Sequence, residues 1–112
     1  MTFRQYPTQS VTVAATVLRI CGASSWTGAN AYRGDVIYEI CNVGASDIYV
    51  RPVAVGDTLT GAVSSTLFQY KLAAGETIAV RQCDNEGASY DLAVVSASSS
   101  VVNVTPKVVT NP

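Results

Sequence analysis

Residues 35–53 read DVIYEICNVGASDIYVRPV. Val36, Tyr38 and Ile40 alternate with Ile37, Glu39 and Cys41, and further on Ile48 and Val50 alternate with Tyr49 and Arg51. A period of two sends successive side chains to opposite faces, so each half is a half-buried strand. Residues 42–47, NVGASD, are turn formers, and the whole stretch is predicted to close as a hairpin. Pro52 has no N–H for a ladder and is expected to disturb the pairing.

The same reading extends in both directions. Residues 10–20, SVTVAATVLRI, form a strand whose phase breaks at Ala14-Ala15, so a bulge or bend is expected near residues 14–16. Thr77 to Cys83 alternates, with Ile78 and Val80 on one face and Thr77, Ala79 and Arg81 on the other. It is preceded by Gly75 at a turn and followed by the turn residues Asp84, Asn85, Glu86 and Gly87. Residues 90–97 and 99–105 are the last two strands, with Leu92, Val94, Val102 and Val104 inward and serines in a tight turn between them. Six or seven short strands without a helix give an all-β fold, a single small antiparallel β-sandwich, with a small β-barrel as the alternative. The domain spans residues 10–105. Residues 1–9 read as an extended N-terminal arm and residues 106–112 as a C-terminal tail.

Of 112 residues, 13% are charged and the net charge is −1. Average proteins carry roughly a quarter. A surface this poor in charge is expected to be covered in part by copies of itself or by a larger assembly. The few charges are scattered, so no basic run is available to neutralise successive phosphates and nucleic acid is excluded as a partner. No apolar stretch approaches a membrane span, and MTFRQYPTQS lacks the apolar segment of a signal peptide, which implies folding in the cytoplasm.

Chemistry is sparse. The absence of histidine rules out Ser-His-Asp and Cys-His arrangements. Cys21, Cys41 and Cys83 match no zinc spacing and read as reduced, apolar side chains, with a disulfide as the alternative. Asp84, Asn85 and Glu86 do not have the spacing of a calcium loop. Glu39 is expected to pair across strands with Arg51 rather than serve as an acid or base. Walker and dinucleotide motifs are missing. The chain is therefore read as a non-enzyme with no cofactor and no metal. Its candidate contact residues are aromatics in otherwise small or polar segments: Phe3 and Tyr6 in the arm, Trp26 and Tyr32 in the loop CGASSWTGANAYRG. Trp26 folding back over one end of the core is the competing reading.

YEICNVGASDIYV (residues 38–50) and YKLAAGETIAV (residues 70–80), followed by YDLAVV (90–95) and SVVNVT (100–105), resemble small β-sandwich virion proteins of tailed bacteriophages. In that group a strand ending in Asn leads through a polar turn to an IYV-like strand, and an L-x-AGE turn introduces the next. The resemblance implies a capsid decoration, or cement, protein that binds the major capsid protein and itself, often as a homo-oligomer such as a trimer, in a virion assembled in the host cytoplasm. Head-fibre, head–tail and tail components use similar sandwiches. A carbohydrate-binding module built on Trp26 and Tyr32 is the reading from a different class.

Overall fold

The computed structural model describes residues 2–5, 7–22, 36–54, 58–82 and 90–110. They form nine strands: β1 (Thr2–Gln5), β2 (Gln9–Val13), β3 (Leu18–Gly22), β4 (Val36–Asn42), β5 (Ile48–Ala54), β6 (Tyr70–Leu72), β7 (Thr77–Gln82), β8 (Tyr90–Val95) and β9 (Ser100–Thr110). No helix occurs among the described residues. Two antiparallel sheets result. The first has the order β1-β9-β4-β7, with β2 also on β9, and the second is β3-β8-β5-β6. The expected sandwich is thus present. Its strand order is that of a jelly roll, in which the chain alternates between sheets from β2 onward except where β5 and β6 pair with each other.

The hairpin expected over residues 35–53 does not form. β4 pairs with β7 and β9, whereas β5 pairs with β6 and β8 in the other sheet. Residues 43–47 are an arch that carries the chain across the sandwich. The expected turn between the last two strands is also an arch, because β8 and β9 lie in different sheets. The phase break at Ala14-Ala15 has the same cause: β2 ends in the first sheet and β3 begins in the second. Across this crossing the inward parity changes from odd (Val11, Val13) to even (Leu18, Ile20), whereas it stays even across residues 43–47, 73–76 and 96–99.

Registers place these arches together. Val13 is opposite Ser100, Asn42 opposite Val102, and Cys41 opposite Thr77. In the second sheet Leu18 faces Val94, Tyr49 faces Val95, and Ile48 faces Leu72. The four arches among the described residues (14–17, 43–47, 73–76 and 96–99) therefore lie at one end of the sandwich.

The arm and tail expected at the termini belong to the first sheet. Thr2 to Gln5 pairs with Thr110 to Lys107, and Gln9 to Val13 pairs with Val104 to Ser100. From Gln5 to Gln9 the edge advances four residues while β9 advances three, from Lys107 to Val104. β1 and β2 therefore follow the same side of β9 with one extra residue on the edge between Gln5 and Gln9, the interval that holds Pro7, where a missing donor does least harm. Pro106, on the neighbouring strand, sits beside this interruption and opposite Tyr38. Pro52 is accommodated in a similar way: it faces Leu92 on one side, while β6 reaches only as far as Val50 on the other.

Between the sheets lie Val13, Ile20, Val36, Tyr38, Ile40, Ile48, Val50, Leu72, Leu92, Val94, Val102 and Val104, all at most 5% exposed. The inward sets expected on β8 and β9 are those observed. β8 is buried on both faces, because a second cluster of Val53, Val63, Ala93 and Val95 covers its outer side.

The expected Glu39–Arg51 pair does not form, since the two residues are in different sheets. Lys107 donates to Glu39 across β9 and β4, and Arg51 Nη1 donates to the Ala62 carbonyl at 2.9 Å. The Lys107 and Glu39 side chains are 29% and 41% exposed, so water screens the pair. Glu39→Gln is expected to lower stability by no more than about 1 kcal/mol in urea denaturation.

Candidate functional site: an outer groove beside the arched end

The site starts from the segment after β5. Residues 58–69 fold back over the outer face of the second sheet. Leu59 and Ala62 pack against the Val53–Val63–Ala93–Val95 cluster, together with Val17 and Tyr49. A turn closes from the Ala62 N–H to the Leu59 carbonyl at 2.9 Å, with Gly61 at φ 74° between them. That left-handed conformation suits glycine. Ser64 and Leu67 exchange backbone hydrogen bonds of 2.8 and 3.2 Å, and Ser64 Oγ accepts from the N–H groups of Thr66 and Leu67 at 3.2 and 3.0 Å.

Between this loop and two of the arches lies a groove of about 310 Å³. Its apolar wall is Val17, Tyr49, Val63 and Val95, and Ser64, Ser65 and Ser96 contribute small polar groups. No charged side chain lines it. Ser96 is already committed: its Oγ donates to the Asp47 carbonyl at 2.9 Å and its N–H to the Ala14 carbonyl at 2.9 Å. Phe68 packs on Tyr49, ring centroids 5.1 Å apart and tilted by 53°. Lys71 Nζ lies 6.0 Å from the Tyr49 centroid and 3.6 Å from Asp47 Oδ2. This is a neutral, largely apolar depression with charge only nearby. Such a surface offers contact area and no acid–base pair.

The arched end beside it is held by Asn42, whose side chain is fully buried. Its Nδ2 donates to the carbonyls of Ser46 (2.8 Å) and Leu72 (2.9 Å). Its Oδ1 accepts from the Gly44 N–H (3.1 Å) and Ser100 Oγ (2.8 Å). Its backbone adds Asn42 N to Glu76 O at 2.9 Å and Gly75 N to Asn42 O at 2.7 Å. One residue thus ties three arches together with every donor and acceptor used.

Of the four aromatics singled out in the sequence, Phe3 is placed only by its backbone, opposite Val109 in the first sheet. Tyr6, Trp26 and Tyr32 lie outside the described residues, as do Cys83 and the turn at Asp84 to Glu86. Cys41 is a free thiol, half-buried on the outer face of the first sheet rather than in the core. The Tyr49–Phe68 pair and the groove escaped the sequence reading. Tyr49 alternates like any strand residue, and Phe68 becomes its neighbour only when the 58–69 segment folds back. Among the described residues no cluster of histidine, cysteine or carboxylate side chains could hold a metal ion.

Neither a family model nor a curated protein matches this chain. Among solved structures it is similar to a chain described under the words "Bacillus endospore appendages form a novel family of disulfide-linked pili". The two are 13% identical, 98% of this chain and 90% of that one are covered, and the TM-score is 0.53. At this identity what the two chains share is the fold, a two-sheet sandwich over essentially their whole lengths.

Proposed function

We propose that this chain is a structural subunit that works by binding copies of itself, and that its place is in the virion of a tailed phage, as a capsid decoration protein seated on the major capsid protein. The observation that carries self-association is the outer edge of β7. The strand holds no proline and a single charge, Arg81, and its free side has no partner strand among the described residues. Soluble monomers usually guard such edges with lysine, proline or a bulge. Sparse charge over the whole chain supports the same reading, as does the likeness in fold to a pilus subunit. The virion assignment rests on the resemblance of residues 38–50 and 70–80 to phage sandwich proteins, and such particles assemble in the host cytoplasm. The role needs no catalytic group and no cofactor.

Light scattering over a dilution series is the test, with a closed oligomer such as a trimer expected. A monomer at every concentration would overturn self-association. Thr77 and Ala79 are exposed on β7, so Thr77→Lys with Ala79→Lys leaves the core intact. This double variant is expected to weaken association by about tenfold or more without lowering the melting temperature by more than a few degrees. Binding to capsids that lack the protein, read by co-sedimentation, tests the virion assignment. The Tyr49 groove with its serine hydroxyls favours one second reading, a carbohydrate-binding module. In that case the protein stays monomeric, and glycan affinity is lost with Trp26→Ala or Tyr49→Ala.

A further inference from the structure

We infer that the groove on the outer face of the second sheet takes the Val43 arch of a second copy of this chain. The inference rests on the self-association proposed above and adds to the β7 edge a second contact. Three large hydrophobic side chains stand well exposed among the described residues: Val43 at 52%, Leu67 at 45% and Phe68 at 42%. Two of them border the groove. Phe68 packs on Tyr49 in its wall, and Leu67 closes the turn whose Ser64 and Ser65 line it. The third stands on the arch between β4 and β5, outside its own chain's groove lining. A single contact that seats the arch of one copy in the groove of another accounts for all three.

The chemistry of the two surfaces agrees. The arch tip is Val43, Gly44, Ala45 and Ser46, without charge, and the groove lining is uncharged as well. Neither side must strip water from an ion when they meet. The arch is also preorganised. The N–H groups of Val43 and Gly44 donate to the Val101 carbonyl at 2.9 and 3.2 Å, and Asn42 holds Gly44 and Ser46 from beneath. A rigid knob loses little entropy on docking. The groove is at the small end of binding pockets, which suits one short arch rather than a long segment.

The test is light scattering over dilution on the full chain and three variants, each checked for unchanged thermal unfolding. Val43→Asp puts a charge on the knob, and Ser65→Trp fills the groove at an exposed lining position. Each is expected to raise the dissociation constant by at least about tenfold. Ala74→Asp, on the exposed neighbouring arch between β6 and β7, is expected to leave it unchanged. If the wild type associates and either Val43→Asp or Ser65→Trp associates equally well, the inference is overturned while self-association stands. Equal loss with Ala74→Asp also overturns it, because the contact is then the arched end as a whole. A wild type that remains monomeric removes both.

Discussion

Asn42→Ala is expected to destabilise the fold by about 4 kcal/mol, a large part of what a domain of this size has in total. The substitution removes no great volume. What it removes is the partner of four polar groups: the carbonyls of Ser46 and Leu72, the Gly44 N–H and the Ser100 hydroxyl. Gly44 keeps a second acceptor in Val101 at 3.2 Å, but the Leu72 carbonyl and the Ser100 hydroxyl face a site closed to water, and the Ser46 carbonyl a part-buried one. An unsatisfied buried group costs roughly 1–3 kcal/mol, which sets the scale. Asn42→Asp separates hydrogen bonding from packing, because it keeps the shape and loses both amide donors. It also turns a carboxylate oxygen toward the Ser46 and Leu72 carbonyls. A comparable loss is expected, measured by urea unfolding. If Asp were tolerated within about 1 kcal/mol, Asn42 would be acting as a spacer and the network argument would fail.

The second large effect is expected at Gly44, where the arch lies against the start of β9. A Cβ built there meets Ser100 Oγ at 2.1 Å, the Val101 backbone N at 2.6 Å and Ser100 Cα at 3.0 Å. The hydroxyl can rotate away. The backbone nitrogen cannot, and it belongs to a residue whose carbonyl already bonds Val43 and Gly44. Gly44→Ala is therefore expected to cost about 3 kcal/mol through displacement of the arch. Adding Ser100→Ala should restore little of it, since the Val101 contact remains and the Asn42 network loses a donor. Full recovery in the double variant would show that the hydroxyl alone set the limit. Gly61 and Gly75 differ from Gly44: nothing lies within 4 Å of a Cβ at either, and only their left-handed φ argues for glycine.

Both residues were visible in the sequence as turn formers between two alternating runs, and nothing local marks them as more. Asn42 owes its role to Leu72 and Ser100, 30 and 58 positions away. Gly44 owes its role to the backbone of β9. The groove was illegible for the same reason. Val17, Tyr49, Val63 and Val95 each belong to a different stretch and read as ordinary apolar positions until the 58–69 segment folds over the sheet. The sparse charge, by contrast, was plain from composition, and it remains the widest support for a covered surface.

Side-chain period determined the strands and their inward faces. Val36, Tyr38 and Ile40, then Ile48 and Val50, are buried as their alternation requires, and so are Leu92, Val94, Val102 and Val104. Period two specifies a face and leaves the partner open. A five-residue connection such as residues 43–47 can close a hairpin in one sheet or arch to the other, and the local residues serve either geometry. Tertiary structure decided between them. Pairing β4 with β7 and β9, and β5 with β6 and β8, buries both apolar faces against each other. It also gives Asn42 partners from three arches at once. A hairpin would have left β4 and β5 side by side in one sheet, with their apolar faces turned the same way and nothing from either to cover them.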